Sequence, residues 1–177
     1  LSRIIYGTRI ALIVGIGATG IAVTIGVLVG ATAGYFGGWV DNLLSRAVDT
    51  LMAFPTLVLL IALTAVVGPS LRTVVIVIGA TVWAQYARVV RADTMSLRER
   101  DFTLAARVAG ATNARIIFRH LVPNVLGPVI VLASLAVGGI IIYESTLSFL
   151  GLGIQPPEPS WGGMLADGRA YIVHYPH

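Results

Sequence analysis

The stretch that decides the fold is residues 10–36, IALIVGIGATGIAVTIGVLVGATAGYF, in which no side chain is charged. An α-helix needs about 20 mostly apolar residues to cross the hydrocarbon core of a bilayer, and this stretch exceeds that length. The nearest charges on either side are Arg9 and Asp41. The sequence therefore predicts a helix that spans a membrane.

The composition of the whole chain supports the same conclusion. Of 177 residues, 56% are hydrophobic and only 11% are charged, and the mean hydropathy is +0.88. An ordinary soluble domain carries about 25% charged residues. So few charges could not cover a surface that faces water on all sides. The chain has no cysteine, which excludes disulfides and thiolate metal sites.

Three further apolar stretches predict three more membrane-spanning helices. They lie at about residues 50–67, 73–90 and 122–143. The Gly-Pro-Ser sequence at residues 68–70 indicates a tight turn between the first two of them. The predicted fold class is therefore an all-α polytopic helical bundle with about four spans, treated as a single transmembrane domain over residues 1–177.

The distribution of arginine predicts which loops face the cytoplasm. Seven of the twelve arginines lie between Arg88 and Arg119, and the chain has no lysine. Positive charge accumulates in cytoplasmic loops, so residues 91–120 are assigned to the cytoplasm. Alternation of the spans then places the Gly/Pro-rich loop at residues 151–170 outside. Nucleic acid is not an expected partner, because stacking aromatics are not interleaved with the arginines.

A short helix is predicted inside this cytoplasmic loop. Asp101 can cap its start by accepting hydrogen bonds from N–H groups of the first turn, and Gly110 is a natural stop. Small or apolar residues recur on one face at helical spacing: Phe102, Ala105, Ala106 and Ala109. A short helix with such a face, lying outside the bilayer, is suited to docking in a cleft of a soluble partner.

The sequence LAARVAG followed by HLVP resembles the EAA loop of ABC importer permeases. In its usual form that loop reads Glu-Ala-Ala, three residues, Gly, nine residues, then Ile-x-Leu-Pro. Ala105, Ala106 and Gly110 match in place, and Pro123 falls at the expected distance. The resemblance therefore implies that this helix is the coupling helix of a permease.

Two positions depart from the pattern of the EAA loop. Leu104 stands where the family usually has Glu, and His120 where it often has Ile. A Glu at position 104 could close a capping box with Asp101 or pair with an arginine of the ATPase, and Leu104 can do neither. Docking is therefore expected to depend on shape, through the small residues and Gly110.

Three other stretches narrow the resemblance. They are YGTRIALIVG at residues 6–15, AGYFGGWVD at residues 33–41 and ESTLSFLGLGIQPPEPSWGGML at residues 144–165. All three look like the dipeptide, oligopeptide and nickel importers, and most like the second, C-type permease subunit of the heterodimer. The resemblance covers nearly the whole chain.

The resemblance implies a bacterial or archaeal plasma-membrane protein of the type I importer fold, with six helices. The first and last of them are expected to be missing from this sequence. The implied partners are a homologous permease, two cytoplasmic ABC ATPases, an extracytoplasmic binding protein and the lipid bilayer. No catalytic residue or cofactor is expected, since the chain lacks a GxxxxGK[ST] phosphate loop. Dipeptides, oligopeptides, glutathione-like peptides and nickel complexes all remain candidate substrates.

Glu144 lies at the outer end of the fourth predicted span, where a charge is costly and often functional. It could line the outer mouth of the transport pathway or bind a cationic group. Alternatively, it is an interfacial carboxylate capped by Ser145, Thr146 or water. No metal site is expected, because the histidines at positions 120, 174 and 177 do not cluster in the sequence.

The competing function is a self-contained secondary transporter or channel. Such a protein needs charges or broken helices near the membrane midplane for ion coupling. Glu144 is terminal in its span, and Pro55, which can kink a helix or fix its first turn, is a single break. The sequence therefore favours the permease.

Overall fold

The computed structural model describes residues 2–174, with side chains described through residue 169. The predictions for His177 and for the side chain of His174 lie outside the described residues. Within residues 2–174 the secondary structure is helical and contains no strand. The helices are α1 (Ser2–Phe36), α2 (Gly38–Met52), α3 (Thr56–Val67), α4 (Leu71–Leu97), α5 (Asp101–Val108), α6 (Asn113–Ile116), a π-helical segment (Ile117–Leu121), α7 (Val122–Phe149) and α8 (Trp161–His174).

Three helical stretches in the described part of the chain are long and apolar enough to cross a membrane. They are α1, α4 and the run Asn113–Phe149, in which α6, the π-helical segment and α7 follow one another. A fourth span is counted if α2 and α3 together form one broken span. The predicted all-α polytopic fold is confirmed.

The predicted second span, residues 50–67, is not one helix. α2 ends at Met52 and α3 begins at Thr56, and Pro55 is the N-cap of α3 with φ −57° and ψ 120°. A residue before proline is driven away from helical geometry, and proline has no N–H to continue the helical ladder. α3 has 12 residues and is therefore about 18 Å long, too short to cross the bilayer core alone.

The boundaries of other helices also differ from those of the predicted spans and loops. α1 begins at Ser2 rather than near residue 10, and α4 continues to Leu97, so residues 91–97 are helical rather than part of a loop. The predicted external loop is helical from Trp161 onward. The uncharged stretches show only which part of a helix can lie in lipid. The backbone hydrogen bonds of the helix continue past the charged residues that bound each stretch.

The described residues form two compact units. One comprises residues 2–21, 55–81 and 135–174, and the other comprises residues 22–54 and 82–134. The predicted coupling helix, α5, belongs wholly to the second unit. The second unit has buried apolar side chains on several of its helices: Val48, Ala84, Ala87, Val90, Ile116, Leu121, Val125 and Val129.

Glycines on α1 let that helix approach α4 closely within the second unit. A Cβ added at Gly30 would lie 2.5 Å from the carbonyl oxygen of Ala87, and one added at Gly34 would lie 2.7 Å from that of Arg91. A Cβ at Gly26 would meet the Cβ of Tyr86 at 2.5 Å. Membrane helices pack through small residues because lipid supplies no hydrophobic force between them. Gly26, Gly30 and Gly34, spaced four residues apart, therefore let α1 pack directly on α4.

Candidate coupling site

α5 begins without the predicted aspartate cap. Arg100 is the N-cap, and its side chain makes no capping hydrogen bond within the described residues. Asp101 is instead the first helical residue, where its charge favours the positive end of the helix dipole. The start of α5 is fastened by Thr103, a fully buried residue whose hydroxyl donates to the carbonyl oxygen of Leu97 at 2.8 Å.

α5 ends where Gly110 was expected to stop it. The N–H of Gly110 donates to Arg107 O at 3.0 Å, and the N–H of Ala111 donates to Ala106 O at 3.0 Å. This pair of bonds is the Schellman motif, which places the residue after the cap in the left-handed region. Gly110 has φ +78°, a conformation that glycine adopts without steric cost.

The small-residue face of α5 is open in this chain. Phe102, Ala105 and Ala109 are exposed, and Ala106 is half-buried. Val108, also on α5, is 90% exposed. Val108 was not among the predicted residues of this surface, although its spacing of three from Ala105 places it beside them. A cluster of exposed apolar side chains of this kind indicates a surface that another protein covers.

A basic rim lies beside this face. Ala106 and Ala109 line an open cavity together with Arg115, Arg119 and His120. The two arginines are four residues apart across α6 and the π-helical segment, so they lie on one side of the helix. The surface therefore combines an apolar face with positive charge at its edge.

Leu104 faces a different neighbourhood from the one predicted for a family glutamate. It is exposed and lines a cavity with Arg98 and Arg107. A carboxylate at this position would meet these two arginines of its own chain. Leu104 therefore places an apolar side chain where a glutamate would lie near two arginines of the same chain.

Pro123, which matches the proline of the EAA loop, lies just after the π-helical segment. Proline has no N–H, so the helical bond to the carbonyl of Arg119 cannot form. The turn before it is π-helical, and the side-chain amide of Asn124 donates to the carbonyl oxygen of His120 at 2.6 Å. A single π-helical turn often marks a functional position in a long helix.

Glu144 belongs to the other compact unit, and the carboxylate is satisfied by hydroxyl groups there. Its side chain is 1% exposed, and it accepts hydrogen bonds from Ser148 at 2.7 Å and Ser145 at 3.3 Å. Ser148 in turn accepts from the N–H of Ile154 at 3.1 Å. Thr146, named with Ser145 as a capping partner, bonds instead to the carbonyl of Ile142. Glu144 thus fixes the turn after α7.

These features define the class as a multi-pass, all-α membrane protein with a short helix whose apolar face is uncovered. The chain belongs to the family of binding-protein-dependent transport system inner membrane components, whose pattern matches residues 4–174. Family members are permeases, and the family places the chain in the plasma membrane.

Relatives of the chain are named as peptide permeases. It is 45% identical over 175 residues to the dipeptide transport system permease protein DppC of Alkalihalophilus pseudofirmus, covering 99% of this chain and 58% of the relative. It is 47% identical over 172 residues to the oligopeptide transport system permease protein OppC of Haemophilus influenzae, covering 97% and 55%.

A third relative is the glutathione transport system permease protein GsiD of Pectobacterium atrosepticum. It is 40% identical over 176 residues, covering 99% of this chain and 58% of the relative. The chain therefore spans less than two thirds of the length of each of these curated relatives.

Proposed function

We propose that this chain is part of the C-type permease subunit of an ATP-driven ABC importer for peptides. The observation that carries the proposal is the family match over residues 4–174 together with relatives named for dipeptide and oligopeptide transport. The same relatives favour peptides, including glutathione-like peptides, over nickel complexes. ATP hydrolysis belongs to partner subunits, and the permease itself holds no catalytic residue and no cofactor.

The partners are a homologous permease, two cytoplasmic ATPases and an extracytoplasmic binding protein. One ATPase docks on α5, and the other docks on the corresponding loop of the homologous permease. The docking surface comprises Asp101, Phe102, Leu104, Ala105, Ala106, Ala109 and Gly110, with Val108 added by the structure. The exposure of Val108 supports this assignment, because an apolar side chain left at 90% exposure on a short helix gains when a partner covers it. Closure of the ATPases would then move the helices as rigid bodies.

Transport by the intact importer tests the proposal. The full-length permease is co-reconstituted with its homologous permease, the two ATPases and the binding protein, and uptake of labelled trialanine is measured. We expect uptake that requires ATP and the binding protein and that vanadate abolishes. Uptake that persists without the ATPases and collapses when an ionophore dissipates the ion gradient would identify a secondary transporter or channel instead.

Docking is tested by Val108→Glu. A charge in an apolar interface is costly to desolvate without a partner, so less ATPase should co-purify and uptake should fall at least about 10-fold, the effect of a 1.4 kcal/mol loss. Because Val108 is exposed, the melting temperature of the isolated permease should be unchanged. Co-purification and uptake at wild-type levels would refute the docking assignment.

A further inference from the structure

We propose that Tyr35, near the end of α1, is a positioning residue that ties the coupling helix to the first membrane span. Through it, movement of α5 by an ATPase is passed to α1. This inference rests on the proposed function, since it concerns how that permease would respond to its ATPases.

Tyr35 makes one specific hydrogen bond. Its hydroxyl donates to the side-chain oxygen of Asn113 at 2.8 Å, across 78 positions of sequence. Tyr35 is 7% exposed and Asn113 is exposed, so the hydroxyl end of the bond is buried and its acceptor end lies at the surface. Asn113 is the first residue of α6, the helix that leads through the π-helical segment into α7. The bond therefore joins the last turn of one span to the start of another helical run.

The ring of Tyr35 also contacts α5. The guanidinium carbon of Arg107 lies 5.8 Å from the centroid of the ring, within the range of a cation–π interaction. Arg107 is in the last turn of α5, next to the Schellman turn at Gly110. One side chain thus contacts both helices that flank this turn, α5 through its ring and α6 through its hydroxyl.

The end of α1 that carries Tyr35 is anchored by a hydrogen bond from Arg98 and by close packing on α4. Arg98 donates to the carbonyl oxygen of Gly34 at 3.2 Å, which satisfies one of the carbonyls left free where the helix stops. Gly34 itself packs directly on α4, where a Cβ would approach the carbonyl of Arg91. Because this end of α1 is closely packed, we expect a displacement of α5 to move α1 rather than to be absorbed by local bending.

Tyr35→Phe is the sharpest perturbation. It keeps the buried ring and the contact with Arg107 and removes only the hydroxyl that donates to Asn113. In the reconstituted importer, we expect the ATPases to co-purify and basal ATP hydrolysis to be unchanged. Uptake of trialanine per ATP hydrolysed should fall about 3- to 10-fold, the effect of losing one hydrogen bond from a coupling equilibrium. Tyr6→Phe, an exposed tyrosine on the same helix, is the matched control.

Substitutions of Asn113 test the same bond from its other end. Asn113→Asp keeps an acceptor for the hydroxyl of Tyr35 and should transport near the wild-type ratio, whereas Asn113→Ala should fall like Tyr35→Phe. The double variant Tyr35→Phe/Asn113→Ala should be no worse than either single variant, because both remove one shared interaction. A purely structural role would not produce this pattern.

The outcomes separate this inference from the proposed function. If the wild-type importer shows no ATP-dependent uptake, the proposed function is wrong. If the wild type transports and Tyr35→Phe keeps its uptake per ATP, only the role of Tyr35 is refuted. Loss of ATPase co-purification or of the melting transition in Tyr35→Phe would also overturn it, because the residue would then serve assembly or folding.

Discussion

Gly30→Ala should destabilise the permease by forcing α1 away from α4. The added Cβ would lie 2.5 Å from the carbonyl oxygen of Ala87, 2.8 Å from the Cβ of Val90 and 3.0 Å from the nitrogen of Arg91. Ordinary contacts begin at 3.4 Å, so the first distance must grow by about 0.9 Å. Two of the three atoms are backbone and cannot rotate away.

The magnitude follows from two opposing effects. Overpacking costs about 1–3 kcal/mol, while alanine stabilises a helix interior over glycine by about 0.5–1 kcal/mol. We expect a net loss of about 1–2 kcal/mol. For a chain of this size that lowers the melting temperature by about 2–8 °C. The change in melting temperature is measured by thermal unfolding of the full-length permease in detergent, followed by circular dichroism at the helical band.

Gly138→Ala is the matched control for Gly30→Ala. Gly138 is inside α7, and a Cβ there has no described atom within 4 Å. The same substitution should therefore leave the melting temperature unchanged or raise it, since only the propensity term applies. Equal melting temperatures for Gly30→Ala and Gly138→Ala would refute close packing of α1 on α4.

Three further substitutions test α5. Leu104→Glu places a carboxylate in the cavity lined by Arg98 and Arg107. It should raise the melting temperature by about 1–2 °C at low salt, the effect of a few tenths of a kcal/mol. The same melting temperature at low and high salt would contradict an ion pair. Thr103→Val removes the hydroxyl bond to the end of α4 and should lower the free energy of unfolding by about 1 kcal/mol, measured by the same melting experiment. The control is Thr8→Val, which removes a hydroxyl bond at the surface of α1. Equal melting temperatures for the two variants would refute the fastening role of Thr103. Gly110→Asn should be tolerated and Gly110→Val should lower uptake, because asparagine adopts the left-handed conformation far more readily than a β-branched residue; equal uptake would show that the Schellman turn is dispensable.

The sequence predicted the features of this fold that recur periodically or that follow from charge. The uncharged stretch before Asp41 predicted the membrane-spanning part of α1. Gly110 indicated the end of α5, because a left-handed residue is needed where a helix closes with a Schellman motif. These signals are local, so they can be seen without knowing what lies across the fold.

Features that depend on distant partners could not be predicted. Pro55 is compatible with a kink or with a first helical turn, and only the structure shows that it separates two helices. Thr103 fastens α5 where Asp101 was expected to cap it, because Leu97 O lies within reach of its hydroxyl. The bond between Tyr35 and Asn113 joins residues 78 positions apart, for which one sequence offers no signal.

The shortness of α5 explains why it is held by contacts at both ends while one of its faces stays exposed. A helix of 8 residues is too short to be stable alone in water, since isolated helices need about 12–15 residues even when alanine-rich. Its stability must come from contacts at its start, its end and one side, which Thr103, Gly110 and Arg107 supply. None of these contacts uses the face that carries Ala105 and Val108. That face is therefore free to remain apolar and open without unfolding the helix, which is the physical condition for a surface that a partner covers and then moves.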